Sequence, residues 1–338
     1  MSNKTLKIEQ IRNEVVRYLG TQPKVLQLAI MSTDIVLNKY ARTITKVKGH
    51  YPTVQSLMSN VVQIFDSKKF TPYGEISFLA KTLTNYHQKV DFELDPSEIL
   101  GTWLEDAYDE SKGVKDKSIS KTAINMLLAK IIDDVNWLSI NGKYDASQKG
   151  QATPTFGTSM DGLNEIIKKA VANTSNPVFS IPGDAITSSN ILDVVTKYER
   201  GLPELMKSKI KTLFMNPTDV EDYQLAYEDR FGQNKFQDNA TATRLGKRKI
   251  VELPGLTQGT ILSTVDGNLL KLIDEIDNPA TITDIQVHDR IMRVYGEFSL
   301  GYDFGYNQLV YLHTSDGGKN RGLNNAEQNK LIYPQEKF

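Results

Sequence analysis

The clearest pattern in the chain is an apolar stripe with three- and four-residue spacing, which predicts one long helix over residues 119–140. Asn141-Gly142 follows the stripe and predicts where the helix ends. A helix of this length extends about 33 Å, which is long enough to act as a spine for the elements around it. The stripe consists of Ile124, Leu127, Leu128, Ile131, Val135 and Leu138.

Two further helices are predicted near the N-terminus. The first ends before Gly20 and Pro23, and its apolar positions are Ile8, Ile11, Val15 and Leu19. The second is predicted from about residue 24 to 46, and its apolar side carries Leu28, Ile35 and Tyr40. These helices either belong to a core or form an arm that docks on a partner, and the sequence favours neither.

Residues 70–92 are polar and rich in Thr, Tyr and Lys. Apolar and polar residues alternate weakly over residues 75–78 and 90–94, and alternation is typical of strands. The segment is therefore predicted to form an extended two-stranded ribbon. Because few of its residues are apolar, the ribbon is expected to project from the body of the protein.

Residues 209–256 predict a strand, a capped helix and a second, basic strand. The first strand carries Ile210, Leu213 and Phe214. Asn216 and Pro217 are typical of a helix N-terminus, because Asn accepts from free backbone N–H groups and Pro needs none at the first helical position. Gly232 suits the helix C-terminus. Negative charge favours the positive end of the helix dipole, and the first turn and a half supplies Asp219, Glu221 and Asp222.

The C-terminal third predicts more strands. Asp266-Gly267 lies between two apolar runs, residues 259–265 and 268–273, and this arrangement is typical of a β-hairpin. Residues 308–313 predict a closing strand. Residues 313–338 are mostly polar and are predicted to form a loosely held tail.

Composition excludes several classes of protein. The chain has 338 residues, 40 of them basic and 41 acidic, for a net charge of −1, which gives no support for a dedicated nucleic-acid binder. Without cysteine it has neither disulfides nor thiolate sites. No run of roughly 18 apolar residues predicts a membrane span, and the N-terminus lacks the apolar region of a signal peptide. The protein is expected to be soluble where it is made.

The sequence offers no catalytic, cofactor or metal site, so an enzyme is not expected. It has no phosphate-binding loop, no dinucleotide fingerprint, no nucleophile elbow and no zinc-protease motif. Its four histidines lie far apart. Asp133-Asp134 and Glu221-Asp222 are adjacent carboxylates, and neighbours on a helix do not face each other, so neither pair is suited to share a proton or a metal ion.

The densest basic cluster has two interpretations. Its side chains either contact phosphates or protect an exposed edge strand from unwanted pairing. No aromatic residues cluster nearby for base stacking, which favours the edge strand. The cluster consists of Arg244, Lys247, Arg248 and Lys249.

The order of these elements resembles the major capsid protein of tailed bacteriophages, the Hong Kong 97 type. The resemblance covers about residues 66–312. In that family a spine helix leads to an Asn-Gly turn and a Gly-Leu step, a strand ends in Asn-Pro before a helix and a Gly, a Leu-Gly strand with a Pro follows, and strands close the fold. The matching residues are Asn141-Gly142, Gly162-Leu163, Asn216-Pro217, Gly232, Leu245-Gly246, Val251, Pro254 and residues 287–312.

This chain departs from the family pattern in two places. Its loop after Asn141-Gly142 is longer than usual, and two predicted helices precede the expected start of the extended arm.

The resemblance implies an α+β fold in several parts. Residues 1–65 would form a helical N-terminal arm, and residues 66–95 an extended loop that lies over a neighbouring subunit. The peripheral domain would comprise residues 96–178 and 282–312 with the spine helix, the axial domain residues 179–281, and the tail residues 313–338. The family has no active site, so no catalytic residue is carried over.

The resemblance also implies a structural role in a virion. Copies would form pentamers and hexamers that close into an icosahedral shell around double-stranded DNA, touching the DNA only weakly and without sequence preference. Portal, scaffold and decoration proteins would be partners, and the chain would be made in the host cytoplasm without contacting a membrane. Candidate subunit contacts are Phe70, Tyr73, Ile76, Phe78, Tyr86, Phe92, Arg244, Lys247, Arg248 and Lys249.

Three alternatives stay open. The chain could form an encapsulin-like compartment with the same fold, act as a soluble enzyme using the Asp133-Asp134 region, or belong to a phage tail.

Deletion of residues 70–94 is expected to leave a folded subunit and to block closure of a shell.

Overall fold

Two β-sheets, a two-stranded ribbon and six α-helices make up the described part of the chain. The structure is a computed structural model, and it describes residues 13, 16, 17, 19, 20, 23–94, 119–232, 242–245, 247–288, 291–315 and 320–337. The helices are α1 Val25–Ile30, α2 Ile119–Asn141, α3 Leu163–Ala172, α4 Ile191–Gly201, α5 Pro217–Phe231 and α6 Ala326–Ile332.

Thirteen strands are present within these residues. They are β1 Arg42–Ile44, β2 His50–Met58, β3 Ile76–Thr84, β4 Tyr86–Leu94, β5 Phe179–Pro182, β6 Thr212–Met215, β7 Lys249–Glu252, β8 Leu262–Thr264, β9 Leu269–Ile273, β10 Thr281–His288, β11 Ile291–Phe304, β12 Val310–Thr314 and β13 Gly322–Leu323. Short 3-10 turns occur at Val36–Lys39, Ala146–Gln148, Glu204–Met206 and Asn307–Leu309.

The long strand β11 organises the first sheet. This five-stranded sheet has the order β1-β9-β11-β10, and β4 pairs antiparallel with β11 over Tyr86–Leu94. The second sheet has six strands in the order β13-β5-β12-β8-β6-β7, and β2 and β3 form the separate two-stranded ribbon.

Two hydrophobic cores lie against the sheets. The first joins the spine helix α2 to both sheets, and the second lies on the other face of the six-stranded sheet, against α4 and α5. Strand β12 shows the division, because alternate residues of a strand point to opposite faces. Val310 and Leu312 belong to the first core and Tyr311 to the second.

The predicted spine helix is confirmed. Five residues of its apolar stripe are buried, and Leu128 packs against the same core. The helix ends at Asn141, where the chain turns through two close backbone approaches. A Cβ at Gly142 would lie 2.5 Å from the Met160 carbonyl oxygen, and one at Gly162 would lie 2.6 Å from the Leu138 carbonyl oxygen. Only glycine fits at both positions without displacing backbone.

The predicted strand–helix module is confirmed as well. Strand β6 is buried and leads into α5. The Asn216 side-chain oxygen accepts a hydrogen bond from the Thr218 N–H at 2.9 Å, and Pro217 occupies the first turn. Gly232 follows the last helical residue with φ of +79°, which suits glycine. These are local interactions, and a local sequence pattern predicts them.

The predicted helix over residues 24–46 is wrong beyond Ile30. After α1 the chain forms a polar turn in which the Asp34 N–H donates to the Ser32 hydroxyl oxygen at 3.1 Å, and side chains of this kind compete with helical hydrogen bonds. A 3-10 turn and strand β1 follow, and β1 pairs parallel with β9. Leu26 and Ile30 lie in the first core, so this segment is part of the subunit body. Most of the first predicted helix, residues 8–19, lies outside the described residues.

The predicted ribbon has a different partner strand. Strand β3 pairs antiparallel with β2, which was predicted to lie in a helical arm, and β4 pairs with β11. Val90 and Phe92 pack against the first core, which explains their alternation with polar residues. The partner strands lie about 30 and 200 residues away along the chain, so local alternation does not reveal them.

The Asp266-Gly267 turn is confirmed, but the hairpin is wrong. Gly267 has φ of +80°, and the Asn268 N–H donates to the Val265 carbonyl at 3.1 Å. The strands on either side do not pair, because β8 belongs to the six-stranded sheet and β9 to the five-stranded sheet. Every residue of β9 is buried, as expected for a strand enclosed on both faces. The turn carries the chain from one sheet to the other.

The prediction of a loose tail is wrong for residues 320–337. Strand β13 pairs with β5, and Asn325 caps α6 by accepting from two backbone N–H groups. The buried Tyr333 hydroxyl donates to the Gln308 carbonyl oxygen at 2.6 Å. Polar side chains hold this segment to the six-stranded sheet, so its polar composition does not indicate mobility.

Lys271 joins α1 to the five-stranded sheet. Its side chain is almost fully buried, and Nζ donates to the Ile30 carbonyl oxygen at 2.7 Å, at the end of α1. The Asn38 side-chain amide donates to the same oxygen at 2.9 Å. Burial lowers the pKa of Lys271 to about 8. The native protein therefore loses this proton at a lower pH than the unfolded chain does.

We expect this proton to make stability depend on alkaline pH. Between the native pKa of about 8 and the ordinary value of 10.5, the unfolded chain binds more protons, so the free energy of unfolding rises with pH. Lys271→Met removes this contribution, and the stability of wild type relative to the variant should therefore increase from pH 8 to pH 10. Urea unfolding at several pH values measures it, with the exposed Lys48→Met as the control. A relative stability that does not change over this window contradicts the account.

Candidate assembly surface

The most exposed apolar surface in the described chain lies on the ribbon, defined here as residues 50–84. It consists of β2, β3 and the linker 59–75 between them. Directly opposed residues of antiparallel strands share a face. Met58 opposes Ile76, and Ser56 opposes Phe78. The register therefore places these four side chains on one face of the ribbon.

This outward face is apolar and open to solvent. The side chains of Val54, Met58, Ile76 and Phe78 are 51% to 64% exposed. Large apolar residues scattered singly on a surface are ordinary, whereas a contiguous group is typical of a contact site. The outward face of the ribbon is such a group.

The linker extends this surface. Val61 and Tyr73 are 51% and 57% exposed, and four other bulky apolar residues are more exposed than those of the strands, at 88% to 94%. The residues are Val62, Ile64, Phe65 and Phe70. Nothing in the described subunit covers them, so the described part of the chain leaves these apolar side chains in solvent.

The inward face of the ribbon packs on the subunit body. Gln55, Leu57 and Leu83 are buried, and Leu83 joins a small cluster with Leu270 and Leu272 of β9. The C-terminal helix α6 lies close to β2. One face of the ribbon is therefore fixed to its own subunit and the other is free.

A polar clamp fixes the base of the ribbon. Lys81 Nζ lies 2.8 Å from Asp303 Oδ1 and 2.8 Å from Asn307 Oδ1, and both side chains of the ion pair are largely buried. Burial raises the pKa of the Asp303 carboxyl, and the Lys81 ammonium acts in the opposite direction. The Gln55 amide donates to the Gly305 carbonyl, and the Asn85 amide donates to the Val47 carbonyl at 2.6 Å. The Lys81 and Gln55 contacts connect the ribbon to the end of β11, and the Asn85 contact joins the two segments that flank the ribbon.

Gly301 allows the ribbon base to approach β11. A Cβ at this position would collide with the Thr84 carbonyl oxygen, where β3 passes into β4. Because the obstacle is backbone rather than a flexible side chain, only glycine permits this approach. The glycine and the polar clamp together set the direction in which the ribbon leaves the body.

No group of three or more His, Asp or Glu side chains among the described residues is arranged to hold a metal ion. Of the adjacent carboxylates Asp133 and Asp134, Asp134 pairs with Lys130 at 2.7 Å and Asp133 faces solvent. The His313 ring is buried against the Asp184 carbonyl at 3.0 Å. None of the helices described is long and apolar enough to span a membrane.

Comparison with solved structures identifies the fold. A chain of the satellite phage P4 procapsid with its size-determination protein superposes with a TM-score of 0.54 at 10% identity, over 86% of this chain and 98% of that one. The capsid of an empty GTA particle gives 0.54 at 11% identity, over 83% and 90%. The capsid of cyanophage A-1(L) gives 0.50 at 12% identity, over 83% and 92%.

This chain has the fold of those capsid chains. The prediction of an α+β, Hong Kong 97-type capsid fold is confirmed. The sequence itself matches no protein-family profile and no curated protein sequence, so the fold is recognised through its structure.

The predicted contact residues divide into exposed and packed groups within this capsid fold. Phe70, Tyr73, Ile76 and Phe78 are exposed on the ribbon. Tyr86 and Phe92 lie on β4 and pack against the first core. Of these six apolar and aromatic side chains, the first four are open to solvent in the free subunit.

Asp161 joins three elements of the capsid fold, and its role was not predicted. Its Oδ2 accepts from the Tyr86 hydroxyl at 2.5 Å and lies 2.6 Å from Lys169 Nζ, while Oδ1 accepts from the Tyr144 N–H at 3.1 Å. Burial raises the pKa of the Tyr86 phenol, and Asp161 adds to that shift. Asp161 precedes the Gly162-Leu163 step of the capsid pattern, which was the available signal.

The basic cluster is not a single exposed row. Arg244, Lys247 and Lys249 face solvent, and β7 does lie at an edge of the six-stranded sheet. Arg248 is buried, with Nη1 2.9 Å from Glu199 Oε1 and Nη2 donating to the Lys207 carbonyl at 2.8 Å. The expectation of an exposed Arg248 is wrong, because a carboxylate on α4 compensates its charge inside the subunit.

Lys81→Met should lower the free energy of unfolding by about 3 kcal/mol, since it leaves the buried Asp303 carboxylate without its partner. Lys89→Met is the matched control, because Lys89 pairs with Asp91 in solvent and surface pairs contribute little. Urea unfolding of the unassembled subunit, followed by circular dichroism, compares the two variants. Equal losses would contradict the clamp.

Proposed function

We propose that this chain is a major capsid protein, which assembles as pentamers and hexamers into a closed icosahedral shell around double-stranded DNA. The observation that carries the proposal is the extent of the structural likeness, 86% of this chain and 98% of the satellite phage P4 procapsid chain. A shared fold alone does not establish function. The exposed ribbon supplies the second, independent support.

The ribbon gives a physical reason for assembly. Each large apolar side chain contributes about 1.5–3 kcal/mol when it passes from water to a buried contact. The outward face and the linker include eight such side chains that are at least half exposed, namely Val54, Met58, Val62, Ile64, Phe65, Phe70, Ile76 and Phe78, besides Val61 and Tyr73. Loss of rotational and translational freedom offsets part of this gain. Repetition of the contact around a closed shell makes assembly favourable although each single contact is modest.

The two sheets would occupy different positions within a shell. The five-stranded sheet with the spine helix would form the peripheral domain, and the six-stranded sheet with α4 and α5 the axial domain at the capsomer centre. Strand β9 lies in the sheet of β11, so residues 269–273 would belong to the peripheral domain rather than the axial one. Strand β12 lies in the sheet of β5, so residues 310–314 would belong to the axial domain. The ribbon would serve as the extended loop and lie over a neighbouring subunit.

The charge balance is compatible with a wall around DNA. A net charge of −1 gives no large positive field, so DNA contacts would be weak and independent of sequence. Portal, scaffold and decoration proteins would be further partners, and the virion would be the location of the assembled chain after synthesis in the host cytoplasm. No catalytic role is proposed for any residue.

The first test is the state of the full chain after expression. Electron microscopy and light scattering should show capsomers or closed shells, and particles recovered from infected cells should protect DNA from nuclease. Shells that enclose a protein cargo instead of DNA would support the compartment alternative. A chain that stays monomeric or dimeric under all assembly conditions contradicts the proposal.

A triple variant of the linker should leave the melting temperature of the free subunit unchanged, because the three side chains touch little of their own subunit. The variant combines Ile64→Ser, Phe65→Ser and Phe70→Ser. The same variant should form few or no shells, since it lacks the apolar surface of the linker. The matched control changes three polar residues of that linker, Asn60→Ser, Lys68→Ser and Lys69→Ser. If the first variant forms as many shells as the control, the proposed contact through the linker is wrong.

Deletion of residues 70–94 is not a suitable test of the ribbon contact. Removal of residues 70–94 was expected to spare the fold, but it removes β4, which pairs with β11 along nine residues of the five-stranded sheet. The deletion would therefore damage the body of the subunit, and the point variants are the cleaner probe.

A further inference from the structure

The hydrogen bonds at the two ends of the ribbon determine which backbone groups face outward. The Ser59 N–H donates to the Glu75 carbonyl at 3.0 Å, and the Asn85 N–H donates to the Gly49 carbonyl at 2.6 Å. Antiparallel pairs alternate between those that exchange hydrogen bonds and those that do not. The pairs Ser59 with Glu75 and Gly49 with Asn85 are therefore hydrogen-bonded pairs, and every second pair between them is bonded too. These bonded pairs include Leu57 with Ser77 and Gln55 with Leu79.

The remaining pairs turn their N–H and C=O groups away from each other. They include Met58 with Ile76, Ser56 with Phe78 and Val54 with Ala80. Outward groups at Ile76, Phe78 and Ala80 therefore line the free edge of β3. No other strand among the described residues pairs with either strand of the ribbon, and these three residues are exposed.

The two edges of the ribbon differ in their protection. Proteins protect exposed strand edges with proline, charge or bulges. The edge of β2 contains Pro52, which lacks an N–H at an outward position. The edge of β3 from Ile76 to Ala80 reads ISFLA and has no proline, no charge and no register shift. The stretch of β2 that opposes it, residues 54–58, also lacks proline and charge, but Pro52 leaves β2 with no more than three consecutive outward N–H groups, whereas β3 has five between Ile76 and Thr84. The edge of β3 is therefore the longer uninterrupted row for a further strand.

We propose that the edge of β3 from Ile76 to Ala80 pairs, through backbone hydrogen bonds, with an extended segment of a second copy of this chain. The inference rests on the proposed function and specifies how the ribbon makes its contact. An unpaired strand edge is satisfied by another extended backbone. The second copy is the occupant because Ile76 and Phe78 also carry the exposed apolar face, which an added strand continues with its own alternate side chains.

A pair of proline substitutions tests the edge without removing apolar surface. Ala80→Pro deletes one outward N–H from β3, and Val54→Pro deletes one from β2 at the same level of the ribbon, since these two residues oppose each other. Ala80→Pro should reduce shell formation by the purified full chain by about tenfold or more. Val54→Pro should reduce it by less than about twofold. Circular dichroism of both free subunits checks that each is folded.

Hydrogen exchange of the wild-type chain gives a second measurement, which does not depend on a variant that folds. The amides of Ile76, Phe78 and Ala80 should exchange at least about tenfold more slowly in assembled shells than in free subunits, because an added strand protects them. The amides of Val54 and Ser56 should change little.

The outcomes separate the two claims. If wild type forms no particles, the proposed function fails and the edge pairing fails with it. If wild type and Ala80→Pro assemble equally, or if the amides of Ile76 and Phe78 gain no protection in shells, the edge pairing is wrong while the proposed function stands. Equal losses for both proline variants also overturn it, because they would show general damage to the ribbon.

Discussion

The proposed assembly depends on the apolar surface of the ribbon, which the described part of one subunit leaves in water. Two cores bury most of the aliphatic and aromatic side chains of the body, yet the ribbon holds its outward face and its linker in solvent. The cost of exposing such side chains is removed when another surface covers them. The described part of a single copy therefore leaves apolar surface in water, and the proposed assembly would cover it with neighbours.

Buried polar contacts keep this surface in a defined place. Lys81 reaches Asp303 and Asn307 at the ribbon base, and the nearby Asp161 joins β4 to α3. Lys271 joins α1 to the five-stranded sheet, and Arg248 joins the loop before β7 to α4. The Lys81–Asp303 and Arg248–Glu199 pairs connect segments far apart in sequence, and removal of one partner of either pair leaves a buried charge. The Lys81 contacts fix the base of the ribbon to the end of β11, while the others hold together the body from which the ribbon extends.

The sequence predicted the elements whose causes are local. The spine helix follows from one apolar stripe and a terminal Asn-Gly, and α5 follows from Asn216, Pro217 and Gly232. The fold class followed from the order of such elements. The failures concern partners that lie far along the chain: β2 as the partner of β3, β11 as the partner of β4, and the separation of β8 from β9 into two sheets. Alternation in one strand does not identify the strand beside it.

The candidate surface was predicted in part for the same reason. Ribbon residues such as Phe70 and Phe78 are exposed as expected, since they lie in a segment too polar to form its own core. Arg248 was wrongly predicted to be exposed, because its partner Glu199 lies 49 residues away and no residue near Arg248 in the sequence indicates the pairing. The polar tail was misread because its apolar anchors, Leu323 and Tyr333, are few, and amide and hydroxyl side chains add to them in holding residues 320–337 to the sheet.

The most direct test of the central claim is a cryo-EM reconstruction of particles assembled from the full chain, in which burial of the ribbon is measured. The account predicts a closed shell in which Phe65, Phe70 and Phe78 of each copy are covered by a neighbouring copy. A closed shell in which these side chains remain in solvent, with contacts made elsewhere, would contradict it.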